Sequence, residues 1–121
     1  MAKFSQSFVR SKLPRKQRKY LLFAPLHIRR KLMRAKVSEE LRKKYNIKRI
    51  TVRKGDKVKV MRGKFKGVIG TVEKVDLKNY RIYIDNVFLT KKDGSKVKYP
   101  VHPSKVMIVD LNLSDKRRMG K

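Results

Sequence analysis

From Thr51 onward, the apolar residues of this chain recur at every second position, which limits the segment to strands with one buried face. The clearest runs contain Val58 and Val60, Ile82 and Ile84, and Val106 and Ile108. Turn-forming residues separate these runs at Gly55-Asp56, Gly63 to Gly67, Lys78-Asn79 and Asp93-Gly94. The pattern predicts a mostly β fold in which about five short antiparallel strands form a small barrel.

Basic residues dominate the composition and are concentrated at the front of the chain. Lysine and arginine number 36 against 9 acids, which gives a formal charge of +27 and a sequence pI of about 10.9. The first 38 residues hold twelve of these cations and no acid. A basic arm joined to a small β module suits a folded polyphosphate, because the arm can follow a charged groove while the module fixes its position. Nucleic acid is therefore the expected partner.

Length and composition exclude several classes of protein. A chain of 121 residues has room for one domain with a modest core. The absence of cysteine excludes disulfides and cysteine zinc sites and fits a reducing compartment. The longest apolar run, Leu21 to Leu26, is too short to cross a membrane, and cations interrupt the start where a secretory signal needs an apolar core. An organellar transit peptide stays open as an alternative, because the start is acid-free and contains Arg and Ser.

The front of the chain contains one predicted helix and one predicted irregular stretch. Ser11 can cap a short basic helix that runs to Leu22, with Pro14 in its first turn. The cations of residues 27 to 37 are distributed around scattered apolar residues, so this stretch is predicted to be extended or irregular.

A second short helix is predicted to start at Ser38 and to continue to about Tyr45. Glu39 and Glu40 lie where the helix dipole favours anions, and Asn46 can adopt the left-handed turn that ends the element. The sequence therefore predicts three parts. Residues 1–50 form a basic extension with one or two short helices, residues 51–115 form a β module with a projecting basic hairpin, and residues 116–121 form a basic tail.

The segment from Val52 to Val72 carries the most specific motif. Its glycines predict a turn into a strand at Gly55, a sharp loop from Gly63 to Gly67, and a close approach of the next strand at Gly70. This arrangement resembles the KOW motif, a short unit of SH3-like barrels in ribosomal proteins and transcription elongation factors. The matching residues are Gly55-Asp56-x-Val58-x-Val60 and then Gly63-Lys64-Phe65-Lys66-Gly67-x-x-Gly70-x-Val72.

The resemblance extends over most of the chain. Three sequences flank the KOW unit: Ala24-Pro25-Leu26-His27, Ser38-Glu39-Glu40-Leu41-Arg42 with Tyr45, and Val106 to Leu113. Together with the KOW unit, they are similar to the archaeal and eukaryotic form of the large-subunit ribosomal protein family numbered twenty-four in bacteria and twenty-six in eukaryotes. The family implies an SH3-like barrel bound to 23S-type ribosomal RNA, an early role in subunit assembly and a place near the polypeptide exit. The brief tail after Asp115 favours the archaeal form.

Cations at three places are the predicted RNA contacts, because a positive side chain can neutralise a phosphate and release its counterion. The arm, expected to be disordered until RNA binds, supplies Arg10, Lys12, Arg15, Lys16, Arg18, Lys19, Arg29, Arg30 and Arg34. The motif loop supplies Lys64 and Lys66. A hairpin with Asp93-Gly94 at its tip supplies Lys91, Lys92, Lys96 and Lys98.

Two aromatic residues have alternative roles. Phe65 lies between the two loop lysines and either stacks on RNA or caps the core. The alternation places Tyr83 with Arg81 on the solvent-facing side of its strand, where it either stacks on a base or packs on the surface. Phe65 is included among the predicted RNA-binding residues.

No arrangement of residues predicts catalysis, a metal or a cofactor. His27 and His102 have no Cys or second His at metal-ligand spacing. The acids are scattered beside turns or lysines, where surface ion pairs are expected. The stretch from Gly63 to Gly70 lacks the Gly-Lys-Ser/Thr of a phosphate loop. The chain is therefore expected to bind its partner without catalysing a reaction.

Composition and pattern alone predict a small β protein that binds structured nucleic acid through phosphates. RNA is favoured over DNA, because the sequence offers no long recognition helix. The family resemblance implies more: a structural constituent of the large ribosomal subunit that binds ribosomal RNA, contacts neighbouring ribosomal proteins and works in the cytoplasm. Three alternatives remain: a KOW-type transcription-associated RNA-binding factor, a chromatin-like DNA-binding protein, and a hydrolase acting on nucleic acid. The hydrolase would be supported only by turnover of RNA by the pure protein.

Overall fold

Eight strands and four short helices make up the described part of the chain, so the prediction of a mostly β fold with short helices in front is confirmed. The structure is a computed structural model that describes residues 7–115 and 117–118. The helices are α1 (Ser7–Arg10), α2 (Pro14–Phe23), α3 (Leu26–Leu32) and α4 (Glu39–Tyr45). The strands are β1 (Arg34–Val37), β2 (Arg49–Thr51), β3 (Lys57–Val60), β4 (Ile69–Asp76), β5 (Arg81–Ile84), β6 (Phe88–Thr90), β7 (Lys96–Lys98) and β8 (Val106–Asp110), the last preceded by a 3-10 turn (Pro103–Lys105). None of the described helices has the length and apolar character needed to cross a membrane.

Six strands form one sheet in the order β2-β1-β8-β3-β4-β5, and β6 pairs with β7 in a separate hairpin. All ladders are antiparallel except the parallel pairing of β1 with β8. An isolated bridge joins Ile82 to Val101, after which the 3-10 turn returns the chain to β8. No ladder closes the sheet within the described residues. The described strands therefore form an open sheet, in which the bridge and the 3-10 turn connect β5 to β8.

The core lies on one face of this sheet and confirms the period-two pattern. The alternating residues of β3, β5 and β8 are at most 2% exposed: Val58, Val60, Ile82, Ile84, Val106 and Ile108. Burial of each such side chain stabilises the fold by about 1.5–3 kcal/mol. Met33, Ala35 and Val37 are also buried, and β1 lies between β2 and β8. The division of the chain at residue 50 stays a prediction, and the segment around β1 contributes to the same buried layer as the later strands.

The first predicted helix is confirmed apart from its cap, and the predicted irregular stretch is wrong in part. Helix α2 begins at Pro14 with Leu13 as its N-cap, and the Ser11 hydroxyl accepts a bond from the Leu13 N–H at 3.2 Å before the helix starts. Proline suits the first helical position because its missing N–H needs no partner there. The stretch from residue 27, predicted to be extended or irregular, forms most of α3, which starts directly after Pro25, and only β1 is extended.

The second predicted helix is confirmed in position. Helix α4 covers Glu39–Tyr45, has Ser38 as its N-cap residue and ends at Asn46 in the left-handed region with φ of 55°. The Ser38 side chain makes no capping bond. Its backbone N–H instead donates to the carbonyl of Ile108 at 2.9 Å, which fixes the start of α4 to β8.

Candidate nucleic-acid interface

The motif loop holds two lysines on the surface. Gly63 and Gly67 have φ of 92° and 90°, a region that favours glycine, and the Gly67 N–H donates to the Val60 carbonyl at 2.7 Å. Lys64 and Lys66 are exposed at the tip of this turn. The loop therefore presents two cations from a backbone that its own hydrogen bonds hold in place.

Phe65 has the core-capping contacts that were one of its two alternatives. Its side chain is half-buried and packs against the core, with its ring centroid 5.0 Å from that of Tyr99. The Lys64 ammonium lies 5.9 Å from the same ring. Tyr83 is also half-buried, and the Lys74 ammonium lies 5.8 Å from its ring.

Two other motif glycines occupy restricted positions. A Cβ at Gly70 would overlap Asp85 Oδ1 and lie 2.7 Å from Ile84 Cγ2, so the predicted close approach of two strands is confirmed. A Cβ at Gly55 would lie 2.5 Å from Asn112 Nδ2, and Gly55 has φ of 95°. Because glycine has no Cβ, β4 can pack closely against β5 at Gly70, and the first motif turn can pack closely against the segment after β8 at Gly55.

The basic hairpin is present, with its lysines exposed around the predicted tip. Leu89 pairs with Val97, and the turn is closed by bonds from the Gly94 N–H to Lys91 O at 3.0 Å and from the Lys91 N–H to Ser95 O at 2.8 Å. The Ser95 hydroxyl and N–H both donate to Asp93, which lowers the pKa of that carboxyl. The exposed cations are Lys91, Lys92, Lys96 and Lys98.

An ion pair attaches the base of the hairpin to the sheet. Lys98 Nζ lies 2.6 Å from Glu73 Oε2 of β4, and both side chains are a little under half exposed. The Lys96 ammonium lies 4.6 Å from the ring centroid of Phe88 on the neighbouring strand. Lys96 and Lys98 therefore have partners within the protein. Lys91 and Lys92 lie directly before the Asp93-Gly94 tip.

The arm cations before α3 form an acid-free surface on α1, α2 and their connection. Arg10, Lys12, Arg15, Lys16 and Arg18 are exposed, and Lys19 is half-buried. The Gln17 amide donates to the carbonyls of Phe8 and Ser11, so α1 is attached to α2. Arg30 and Arg34 are exposed further along, on α3 and β1.

Arg29 differs from the other predicted arm cations, because its half-buried side chain is bound to carbonyl groups of the protein itself. It donates to three backbone carbonyls, those of Leu22 at 2.6 Å, Ala24 at 2.7 Å and Lys78 at 2.6 Å. It also lies 5.3 Å from the ring centroid of Tyr80. These contacts attach the arm to the turn between β4 and β5, a role that the sequence analysis missed.

Tyr80 completes this attachment. Its hydroxyl donates to the Leu21 carbonyl at 2.5 Å, and its backbone has φ of 54°, the left-handed region. Burial raises the pKa of the Tyr80 hydroxyl, and the nearby Arg29 charge opposes that shift. A tyrosine directly after the turn signal Lys78-Asn79 was the only available hint in the sequence.

The C-terminal segment also makes a contact that was not predicted. Arg118 pairs with both carboxylate oxygens of Asp56 and donates to the carbonyls of Thr51 and Asn112. The side chains of Asp56 and Arg118 are 0% and 3% exposed. Lys116 and residues 119–121 of the predicted basic tail lie outside the described residues. Arg118 itself is part of the folded protein.

His102 has a structural role at the 3-10 turn. His102 Nδ1 accepts from the Ser104 N–H at 3.1 Å and caps the 3-10 turn. Burial lowers the pKa of His102, and the charges of Arg81 and Lys105 lower it further. Within residues 7–115 and 117–118, no group of three or more His, Cys, Asp or Glu could hold a metal ion.

A bent sheet with a KOW-type glycine loop, a lysine hairpin and a cationic helical arm defines the class of small basic KOW proteins. The family model for the eukaryotic ribosomal proteins L26 and their archaeal counterparts, which are numbered twenty-four, matches residues 11–121, and the chain belongs to this family. A relative from Pyrobaculum islandicum named "Large ribosomal subunit protein uL24" is 55% identical over 111 residues, covering 92% of this chain and 90% of the relative. The resemblance stated from the sequence is confirmed.

Proposed function

We propose that this protein is a structural constituent of the large ribosomal subunit in the cytoplasm, where it binds 23S-type ribosomal RNA and contacts neighbouring ribosomal proteins. Membership of the ribosomal family and the name of the Pyrobaculum relative support the assignment. The observation that carries RNA binding is the exposed, acid-free cationic surface of α1 and α2. The protein binds RNA and catalyses no reaction. The same proposal includes an early role in subunit assembly and a place near the polypeptide exit.

We infer that the sheet is an SH3-like barrel of the KOW type whose last side is left open. Strand β4 supports this inference, because its first part pairs with β3 and its second part with β5, with a register shift between Val72 and Lys74. The bridge from Ile82 to Val101 and the 3-10 turn then return the chain toward β8, which pairs with β3. The extension, residues 1–50, and the β module, residues 51–115, are the two functional parts.

The predicted cations divide into direct contacts and one positioning residue. Those of α1, α2 and their connection bind phosphates, together with Arg30, Arg34, the loop lysines and the hairpin lysines. Arg29 instead sets the direction of the arm, since its donors already bind backbone carbonyls. Ordering upon RNA binding is confined to the segment before Leu21, because Leu21 and Leu22 are attached to Tyr80 and Arg29.

A test of the proposal replaces the six arm cations with glutamine and measures binding to 23S-type RNA over a range of salt concentrations. The six are Arg10, Lys12, Arg15, Lys16, Arg18 and Lys19. If all six contact phosphates, the slope of log affinity against log salt becomes shallower by about 4–5. Substitution is preferred to deletion of residues 1 to 37, because such a deletion would remove the buried residues of β1.

The matched control replaces six exposed cations outside the proposed interface and therefore has the same net charge. These are Lys36, Lys43, Lys44, Lys48, Arg49 and Lys57. The control is expected to keep a steeper salt slope than the arm variant. Equal slopes for the two variants would contradict the proposal, as would tighter binding of the wild-type protein to duplex DNA than to ribosomal RNA at matched salt. Co-sedimentation with RNA polymerase in place of large subunits would favour the transcription-factor alternative.

A further inference from the structure

A cavity of about 700 Å³ lies between the N-terminal elements, the end of β4 and the C-terminal segment. It is formed by Arg30 of α3, by residues 50–54, by Val75 and Leu77, and by Asp115, Arg117 and Arg118. Its size falls within the range of small-molecule sites. Only Arg30 among these residues belongs to the RNA contacts predicted from the sequence.

The cavity has an apolar floor and a cationic rim. Ile50, Val75 and Leu77 are half-buried and pack against the core. Around them, exposed cations come from three separate parts of the chain: Arg30, Arg53, Lys54 and Arg117. A nucleotide has the complementary pattern, because its base has flat faces of low polarity while its phosphate is an anion.

One acid lies in this otherwise basic site. Asp115 accepts bonds from the Arg117 N–H at 2.9 Å and from Arg53 Nη1 at 3.0 Å, and both bonds lower the pKa of its carboxyl. An ionised carboxylate has about four acceptor sites, so about two remain for the amino or imino groups of a base. The ion pair also orients the planar guanidinium of Arg53, a group on which bases stack.

The C-terminal segment forms one wall of the cavity, and Arg118 fixes its position. Arg118 joins this segment to Asp56 and to the Thr51 carbonyl, and its side chain is 3% exposed. Its Nε is buried without a hydrogen-bond partner among the described residues. The wall is therefore positioned before any ligand arrives, which reduces the entropy lost on binding.

We propose that this cleft binds one unstacked nucleotide of RNA, with the base on the apolar floor and a phosphate at the cationic rim. The inference rests on the proposed function, since it assigns a nucleotide-sized site to a protein that binds ribosomal RNA. The cleft adds recognition of a single nucleotide to contacts that otherwise follow the backbone charge.

The first experiment titrates the full, isotope-labelled chain with 5′-GMP, 5′-UMP and inorganic phosphate, followed by NMR. Saturable shifts of the amides of residues 50–54, 75–77 and 117 are expected with the nucleotides. Inorganic phosphate alone should shift rim residues and leave Val75 and Leu77 unchanged, because it has no base to cover the floor. Identical shifts with phosphate and nucleotides, or no saturable shift at the floor, would overturn the proposal.

The second experiment separates this inference from the proposed function. Lys54→Ala removes a rim cation, and Lys57→Ala removes an exposed lysine that does not line the cleft. Affinity for 23S-type RNA is expected to fall about tenfold for Lys54→Ala and less than about twofold for Lys57→Ala. If both variants lose the same affinity while the wild-type protein still binds the RNA, the inference about the cleft is overturned and the proposed function is not. Failure of the wild-type protein to bind the RNA would overturn the proposed function.

Discussion

Asp56 and Arg118 form an ion pair inside the protein, with side chains 0% and 3% exposed, and it joins the first turn of the KOW motif to the C-terminal segment. Asp56 also accepts bonds from the backbone N–H groups of Arg53 and Asn112, both at 2.9 Å. Four donors therefore depend on one buried carboxylate. Such an arrangement is stable only while both charges are present, because an unpaired buried charge is costly.

Replacement of Asp56 with Asn should reduce the free energy of unfolding by about 3–5 kcal/mol, since it leaves the Arg118 guanidinium buried without a counter-charge. Urea unfolding of the two proteins measures the difference. Asp115→Asn is the matched control, because Asp115 pairs with Arg53 at the surface, where water screens the interaction and the loss is far smaller. Similar losses for both variants would show that the buried ion pair contributes no more to the free energy of unfolding than the surface pair.

Gly70→Ala should destabilise the sheet by about 1–3 kcal/mol, because the new methyl would overlap Asp85 and Ile84 and force β4 away from β5. Thermal unfolding gives the measurement. Gly63→Asn serves as the comparison: nothing lies within 4 Å of a Cβ there, so its cost comes only from the left-handed backbone, which asparagine adopts more readily than most residues, and should be smaller than the cost at Gly70. A smaller loss at Gly70 than at Gly63 would argue against the close packing of these strands.

Arg29→Lys should loosen the arm while the sheet stays folded. A single ammonium cannot reach the three carbonyls that the guanidinium binds, so about 2 kcal/mol of local stability should be lost. Hydrogen exchange of the α2 and α3 amides should become faster, with β3 and β8 unchanged. Arg30→Lys, at an exposed neighbouring position, should leave these rates as they are. Equal protection in both variants would mean that Arg29 does not hold the arm.

Stability should decrease as pH falls from about 7.5 to about 5.5, in part because of His102. Its pKa is lowered first by burial and then by Arg81 and Lys105, so the unfolded chain binds a proton more readily than the folded one. The stabilisation is therefore complete above the ordinary histidine pKa and is lost as pH falls through the lowered one. His102→Asn keeps an acceptor for the Ser104 N–H and should show a weaker pH dependence in urea unfolding. A stability difference between the two proteins that is the same at both pH values would contradict this assignment.

The sequence predicted the local features of the fold well, because they depend on short-range rules. Alternation identified the buried residues of β3, β5 and β8, and the turn residues identified the motif loop and the hairpin. Asn46 ended α4 as expected. Residues 34–37 were predicted only as extended or irregular and not as a strand, although Arg34 to Val37 alternates, because four residues in a strongly basic context give a weak signal.

Long-range pairings were beyond what one sequence offers. Nothing in residues 34–37 specifies a parallel partner in β8, and nothing in the basic tail marks Arg118 as the counter-charge of Asp56. The candidate site shows the same limit. Charge identified the cations, but only the folded structure shows that Arg29 faces inward and that Arg30, Arg53 and Arg117 surround one cleft.

The parallel pairing of β1 with β8 has a consequence for protein synthesis. The ribosome makes β1 before β8, and strands β2 to β7 lie between them in the sequence, so β1 has no neighbour on that side until β8 has been made. During that interval the strand edge is open to pairing, and the positive charge around it repels other copies of this basic chain.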